Sequence, residues 1–236
     1  GVSRRGRQMF TDSYAPAEWS FSTYARPFKS AGTGTGAADS AAKHHAVEEA
    51  LWAMMVGDAA YAATTFTGFA ATTSELAIDF DSSNKTTLGT CNLYFVLGGA
   101  GAGTKTIYKV ANCCVNEAGL DFDIDGITTI NWSGMGTIIS EESSFPAATV
   151  FEAVTSTGNF IRNRLTSLTA VSSTPTVTTY SLVLTGGSVT ISNNMTFLTP
   201  ETLGTINQPL GHVTGTRTVS GSFTCYLNAD SNSSAD

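Results

Sequence analysis

Hydrophobic and polar residues alternate along much of this chain, which is the pattern of half-buried β-strands. In EWSFSTYARPF, Trp19 and Phe21 alternate with Ser20 and Ser22, and the strand must end near Pro27. The same reasoning predicts strands over residues 75–81, 91–97, 106–115, 120–125, 128–133, 160–169, 178–184, 188–199 and 214–227. In LTGGSVTISNNMTF it predicts two strands joined by a Gly-Gly turn.

One segment has the period of a helix instead. Asp39 or Ser40 can cap a helix through AAKHHAVEEALWAMMVG that ends at Gly57. Its predicted apolar stripe is Ala46, Ala50, Leu51 and Met54, flanked by Val47 and Met55. Its predicted outward-facing residues are Lys43, His44, Glu48 and Glu49.

Together these elements predict an all-β fold, a sandwich or barrel, with one flanking α-helix. No linker divides the chain, so we expect residues 1–236 to form a single domain. Within it, residues 1–16 are an N-terminal arm, residues 91–115 a long β-hairpin with a glycine-rich tip, and residues 229–236 a C-terminal tail.

Composition supports a β-protein with extensive contacts to other protein. The chain is 42% hydrophobic and only 13% charged, and its many uncharged hydroxyl groups suit faces that meet other protein. The net charge of −7 is uneven, because residues 1–30 hold five basic and two acidic residues while residues 75–152 hold three and ten. Such asymmetry can place unlike charges on different faces of an assembly.

The segment LYFVLGGAGAGTKT resembles a phosphate-binding loop at first sight. Counting from Gly98, the required lysine position is Thr104, and counting from Gly99, Thr104 replaces the second required glycine. A strand pattern follows, whereas phosphate binding needs a helix N-terminus. The glycines therefore predict a flexible hairpin tip rather than a nucleotide site.

The segment DFDIDG begins like an EF-hand calcium loop, with Asp121, Asp123 and Asp125 at alternate positions. The twelfth position is Trp132, where a bidentate glutamate is required. We therefore interpret this segment as a β-strand rather than as a calcium-binding loop.

In that strand Phe122 and Ile124 face a core and the three aspartates form a row on the other face. Three like charges side by side repel one another, so we expect their face to be exposed to solvent and to have a negative electrostatic potential.

The cysteine, histidine and paired glutamate residues do not predict an active site. The four cysteines lack metal-ligand spacing, and Cys113 and Cys114 should point to opposite faces of a strand, so we expect reduced packing residues. His44 and His45 are adjacent and cannot share a metal as i, i+4 ligands do, and Glu141 and Glu142 are a poor acid/base pair. The sequence predicts no enzyme, metal or cofactor, and no apolar run reaches the roughly 18 residues of a membrane span.

Several stretches together resemble the major tail tube proteins of long-tailed bacteriophages. They are EWSFSTYARPF, HAVEEALWAMMVGD, FDIDGITTINWSGMG and YSLVLTGGSVTISNNMTFLTPETLGTINQPLGHVTGTRTVSGSFTCYL. The resemblance implies a β-sandwich whose inner sheet joins those of five neighbours into a ring-wide closed β-barrel. Stacked hexameric rings would form a tube whose negative lumen conducts DNA during ejection. The glycine-rich stretch 31–38 and the Cys113-Cys114 pair depart from that family's pattern.

The resemblance also implies roles for individual residues. Lumen-facing acidic candidates are Asp121, Asp123, Asp125, Asp79 and Asp81. Its candidates for contacts between subunits or rings are Arg4, Arg5, Arg7, Gly98, Gly99, Gly101, Gly103, Thr104 and Trp132. Apart from the resemblance, Arg162 and Arg164 are candidates because they lie two apart on one predicted strand face, and Arg217 is a further candidate.

The implied partners are other copies of the chain, tail tip and tail terminator proteins, and a tape measure protein inside the tube. DNA passes through without specific binding, and no membrane insertion is expected. The implied location is the virion tail, after assembly in the host cytoplasm. A surface adhesin or carbohydrate-binding β-domain is the alternative, since the strands are rich in threonine and serine with scattered aromatic residues.

Overall fold

The computed structural model describes residues 11, 13–29, 44–56, 88–98, 105–144, 162–163, 167–173, 177–204 and 206–227. Over these residues the chain forms strands and one α-helix, as the sequence predicts. In chain order the elements are β1 (Ala17–Tyr24), β2 (Pro27–Lys29), β3 (His44–Ala46), α1 (Glu49–Val56), β4 (Cys91–Leu97), β5 (Thr106–Asp123), β6 (Thr129–Gly136), β7 (Ile138–Glu142), β8 (Leu168–Ser172), β9 (Thr178–Ser192), β10 (Thr196–Leu198), β11 (Gly211–Val213) and β12 (Thr218–Tyr226).

The main sheet has the order β1-β6-β5-β9-β12, and every pairing in it is antiparallel. Strands β4 and β7 pair with the first half of β5, and β8 pairs with the first half of β9. Two short ladders, β2-β3 and β10-β11, complete the described strands. Within the described residues, β1 and β12 are therefore the two edges of the central five strands.

The long strand β5 corrects the prediction of two separate strands over residues 106–115 and 120–125. A bulge at Asn116, between Val115 and Glu117, lets one strand continue across the gap between the two predicted strands. Within the span of the predicted hairpin, residues 91–115, β4 and the first half of β5 form an antiparallel pair from Leu97 with Thr106 down to Cys91 with Cys113.

The predicted Gly-Gly turn is wrong, because Gly186 and Gly187 lie inside the continuous strand β9. A Cβ on Gly187 would lie 2.5 Å from the carbonyl oxygen of Ser222 and 3.1 Å from the rings of Phe122 and Phe223. The glycine is thus needed for close packing on the neighbouring strand rather than for a change of direction.

The helix is shorter than predicted. His44–Ala46 pair with Pro27–Lys29 as a strand, so tertiary pairing replaces the first part of the helical pattern. The helix starts after Glu48, whose carbonyl accepts hydrogen bonds from Leu51 N at 2.9 Å and Trp52 N at 3.2 Å. It ends at Val56, next to the predicted terminus at Gly57.

The predicted faces of the helix also need correction. The helical pattern places Glu48 outward, yet this residue is only 5% exposed, whereas Ala50 of the predicted apolar stripe is exposed. Burial raises the pKa of the Glu48 carboxyl group, and neighbouring N–H groups and the charge of Arg26 partly oppose that shift. The helix therefore starts beside a buried acidic group.

Two predicted strands lie largely or wholly outside the described residues. Residues 75–81 are not described. Of residues 160–169, an isolated bridge pairs Arg162 with Ile127, and a regular strand begins only at Leu168.

The core lies between one face of the main sheet and α1. Trp132 of β6 is 1% exposed, and its ring meets that of Trp52 of α1 edge to face with centroids 4.7 Å apart. Its Nε1–H donates to Thr23 Oγ1 at 2.9 Å. Trp19 of β1 packs in the same cluster and lies over Gly134, where any Cβ would clash with its indole ring.

We predict that Gly134→Ala lowers the free energy of unfolding by at least about 2 kcal/mol, because the Cβ overlaps both the Trp19 indole and the carbonyl oxygen of Cys114. Gly119→Ala is the matched control, since Gly119 also lies in a paired strand but its Cβ would meet nothing closer than 3.7 Å. Urea unfolding of the two variants measures the difference. Equal midpoints would contradict this packing.

Candidate functional site

The face of the main sheet opposite α1 is polar, and the strand registers define it. Directly opposed residues share a face, so Ser22, Asn131, Gly119, Thr190 and Ser220 form one row across all five strands. We call the whole set the polar face; its residues are Glu18, Ser20, Ser22, Tyr24, Thr129, Asn131, Ser133, Glu117, Gly119, Asp121, Asp123, Gly186, Ser188, Thr190, Ser192, Thr218, Ser220, Ser222 and Thr224.

The charged residues of the polar face are all acidic. They are Glu18 on β1 and Glu117, Asp121 and Asp123 on β5; none of the positions in the polar face is lysine, arginine or histidine. Hydroxyl and amide side chains fill most of the remaining positions. The surface therefore has a negative potential without basic groups to bind an anion.

Hydrogen bonds order part of this surface. Ser22 Oγ donates to Asn131 Oδ1 at 2.6 Å, and Asn131 Nδ2 donates to Asp121 Oδ2 at 2.5 Å. On the other side of β5, the hydroxyl groups of Ser188 and Ser222 are 3.2 Å apart. The hydrogen bonds from Ser22 and Asn131 hold the Asp121 carboxylate in place. They also occupy the hydroxyl and amide donors, which are then not available to bind an anion.

At one end, the β10-β11 hairpin covers the sheet beyond the polar face. Cys114 and Met135, which oppose each other in β5 and β6, pack there with Phe197, Met195 and Leu88. The polar face is thus limited to the part of the sheet between this cover and the turn that follows Asp123.

The predicted row of aspartates is only partly present. Asp121 and Asp123 are exposed in β5, but Asp125 lies beyond the end of the strand in the following turn. Asp123 Oδ1 accepts the backbone N–H of Gly126 at 2.6 Å and so shapes that turn. Ile124, which the alternation places against the core, is instead 45% exposed. Asp79 and Asp81 lie outside the described residues.

Sequence reasoning missed Glu18 and Glu117. Glu18 has the same parity as Ser20 and Ser22, so the alternation in EWSFSTY could have found it. Glu117 has the same parity as Asp121 and lies on its side of the bulge at Asn116, but the strand predicted over residues 120–125 begins after it. Counted from the strand predicted over residues 106–115, the bulge reverses its parity.

One predicted contact residue between subunits is corrected by the fold. Trp132 is 1% exposed within a single chain, so it has no surface to offer a neighbouring subunit. Its role is to join β6 to α1 in the core.

The other predicted contact residues are placed only in part. Arg162 is exposed beside Ile127, and Gly98 has a φ of 122°, a conformation that favours glycine, directly after β4. Arg4, Arg5, Arg7, Gly99, Gly101, Gly103, Thr104 and Arg164 lie outside the described residues, so their contacts stay predictions.

Comparison with known proteins assigns the chain to a family. A family model described as phage tail tube protein matches residues 15–235, nearly the whole chain. The chain belongs to the phage tail tube protein family. Tail tube proteins are structural components of the virion tail, and this chain is therefore a virion component.

A curated relative extends the comparison. The chain is 30% identical to tail tube protein pb6 of Escherichia phage T5 over 230 residues, which are 95% of this chain and 46% of that protein. The chain thus spans about half the length of this relative.

Arg217 of this tail tube protein joins the core elements within the subunit. Its Nη2 donates to the carbonyl oxygens of Met55 at 2.8 Å and Val56 at 3.0 Å, and its Nε donates to Asn193 Oδ1 at 2.7 Å. Asn193 Nδ2 in turn donates to the carbonyl oxygens of Met55 and Val115. A cation at the C-terminus of α1 is favourable, so Arg217 has an internal role, and its predicted contact with another subunit stays a prediction.

Cys114 and His212 are a close pair that could suggest a catalytic dyad, with Sγ and Nδ1 3.1 Å apart. The backbone N–H of Leu88 donates to His212 Nε2 at 3.3 Å, so in the neutral ring the proton lies on Nδ1 and is donated to the sulfur. Burial lowers the pKa of His212 and raises the pKa of Cys114 to about 12. The ring is therefore a donor to a buried thiol and does not act as a base that activates it.

Within the described residues, no group of three or more His, Cys, Asp or Glu side chains could hold a metal ion. No helix in that part of the chain is long and apolar enough to cross a membrane.

We predict that Arg217→Ala lowers the free energy of unfolding by about 2–3 kcal/mol, because it leaves helix carbonyl groups and Asn193 without a charged donor. Arg162→Ala is the control and should change it by less than about 0.5 kcal/mol, since Arg162 is exposed. Equal urea midpoints for the two variants would refute this role.

We predict that the stability of the subunit depends on His212 between neutral and mildly acidic pH. Its pKa is lowered in the folded chain, so below its ordinary pKa the unfolded chain binds the extra proton and the free energy of unfolding falls as the pH falls. His212→Gln should remove that part of the slope in urea unfolding measured from pH 7.5 to 5. Identical slopes for the parent and variant would contradict this.

Proposed function

We propose that the protein is a subunit of a phage tail tube, in which hexameric rings stack and the polar face lines a lumen that conducts DNA into the host. The observation that carries this proposal is the acidic character of the polar face. A face with four carboxylates, no basic residue and many hydroxyl groups is suited to the passage of a polyanion without adhesion.

The two edges of the sheet support closure into a ring. Within the described residues, β1 pairs only with β6, and β12 pairs only with β9. Exposed edges favour pairing with another chain, and pairing β12 of one subunit with β1 of the next satisfies both edges in a closed barrel. Because direction alternates across the five strands, β1 and β12 run the same way, and the junction between subunits is a parallel pair.

Exposed apolar side chains support burial in an assembly. On β12, Val219 is 67% exposed, Phe223 49% and Tyr226 64%. A row of large apolar groups on an edge strand is costly in water, and a neighbouring subunit would cover it. A contact between different surfaces of identical subunits forms rings or filaments, which is the symmetry that a stacked tube requires.

The lumen would keep DNA from its wall by electrostatic repulsion. At physiological ionic strength, charges act over about 8 Å, so carboxylates on the wall repel phosphates that approach it. Asp121 and Asp123 lie near the middle and one end of the face, with Glu117 and Glu18 towards the other end, so the repulsion extends along the sheet.

In this function the partners are other copies of the chain, tail tip and tail terminator proteins, and a tape measure protein that occupies the lumen before the DNA. The subunits assemble in the host cytoplasm. The polar face is not expected to bind DNA specifically, because none of its positions is lysine, arginine or histidine.

We predict that Asp121→Lys combined with Asp123→Lys slows DNA ejection several-fold, because ammonium groups on the lumen wall attract phosphates. The test uses virions whose tube carries the variant, with ejection followed by a DNA-binding dye at several salt concentrations. Higher salt should restore the rate, since the added attraction is screened.

Glu141→Lys is the matched control, because Glu141 is an exposed acidic residue of β7 outside the polar face. It should leave ejection unchanged. Tubes of the double variant that assemble and eject DNA at the parental rate at every salt concentration would overturn the lumen assignment.

A further inference from the structure

Two cysteines face each other across the β4-β5 hairpin. The register places Cys91 of β4 directly opposite Cys113 of β5, at the base of the hairpin where the two strands enter the core. Both thiols are free. Directly opposed residues in antiparallel strands have Cα atoms about 4.5–5.5 Å apart, a range within which disulfides form.

The two thiols also lie on the same side of the hairpin. Cys113 is fully buried in the cluster around Val110 and Trp132, and Cys91 is half-buried against that same cluster. The adjacent Cys114 belongs to the separate cluster on the other side of the sheet, where its sulfur contacts His212. The fold thus separates the opposed pair, Cys91 and Cys113, from the neighbouring Cys114.

We propose that Cys91 and Cys113 are a disulfide site, reduced while the subunit is in the cell and oxidised slowly in the virion outside it. A tail component leaves a reducing compartment for an oxidising one when the virion is released, and both states then exist in its lifetime. The bond would join β4 to β5 covalently at the base of the hairpin.

The reaction needs an oxidant, which is a small-molecule disulfide such as oxidised glutathione. The thiolate of Cys91, the more exposed of the two, attacks one sulfur of that disulfide and releases one glutathione. Cys113 then attacks the Cys91 sulfur of the mixed disulfide and releases the second glutathione. The two protein thiol groups are oxidised by two electrons, and their two protons are recovered on the two glutathione thiols.

Burial makes this reaction slow at neutral pH. It raises the pKa of Cys91 to about 12 and that of Cys113 to about 11, so the reactive thiolate is rare. The rate should therefore rise about tenfold for each unit of pH in the range from 7 to 9. Such a site stays reduced during folding and assembly and oxidises over the longer life of a particle.

The bond would restrict the hairpin at its base, next to the register shift between Cys91 and Leu93. It closes a loop through residues 92–112, which limits the conformations of the unfolded chain. If the hairpin contacts a neighbouring subunit in the tube, as the proposed function implies, the bond would also fix the position of β4 after assembly. Formation of the disulfide depends only on the register and burial of Cys91 and Cys113 within a single chain.

The experiment treats the folded, purified chain with oxidised glutathione at pH 7, 8 and 9 and blocks remaining thiols by alkylation. Trypsin places Cys91 in the peptide of residues 86–105 and Cys113 with Cys114 in that of residues 110–162. Mass spectrometry should find these two peptides joined, and the oxidised chain should melt about 5–10 °C higher.

Single variants distinguish the cysteines. Cys91→Ser and Cys113→Ser should both abolish the joined peptides, whereas Cys114→Ser and Cys225→Ser should retain them. Formation of the link in Cys113→Ser, or four free thiols in the parent after prolonged oxidation at pH 9, would overturn the disulfide site. Neither result bears on the lumen assignment, which is tested by ejection alone.

Discussion

The contact between Trp132 of β6 and Trp52 of α1 decides which face of the main sheet is buried. The two rings meet edge to face at 4.7 Å, and Trp132 is nearly inaccessible at 1% exposure. Side chains alternate along a strand, so the helix covers only one face of these strands. The other face stays uncovered and carries a separate set of side chains. Arg217 and Asn193 hold the end of the helix at this contact, and Gly134 leaves room for the Trp19 indole beside it.

The opposite face follows from the same alternation. In β1 and β6, each residue that places an aromatic or aliphatic group under α1 is followed by a serine, an asparagine or a carboxylate on the polar face. One stretch of sequence thus encodes both the subunit core and an acidic surface. Under the proposed function, this combination would let identical subunits close into a ring by strand pairing, while the surface that meets the DNA would carry only negative charge. Assembly and conduction would then depend on the two edges and one face of a single sheet.

Period-two alternation predicts most of the strands, and it is sufficient to place Asp121 and Asp123 together on the exposed face of β5. It cannot place elements that depend on tertiary contacts. The ladder between His44–Ala46 and Pro27–Lys29 shortens the helix, and the packing of Gly187 on Ser222 replaces the expected turn. Glu117 lies between the bulge at Asn116 and the strand predicted from Leu120, so alternation counted from residues 106–115 gives it the wrong face. The resemblance suggests Trp132 as a contact between subunits, whereas its 1% exposure places it in the core of a single subunit.

Helical reconstruction by electron microscopy of tubes assembled from this chain would show directly which face of the main sheet lines the lumen. The polar face should lie nearest the tube axis, with the Asp121 and Asp123 carboxylates directed into the lumen and α1 on the outside. Strand β12 of each subunit should run beside β1 of the next. A tube in which α1 faces the lumen, or in which the polar face is buried between subunits, would contradict the assignment of the polar face to the lumen.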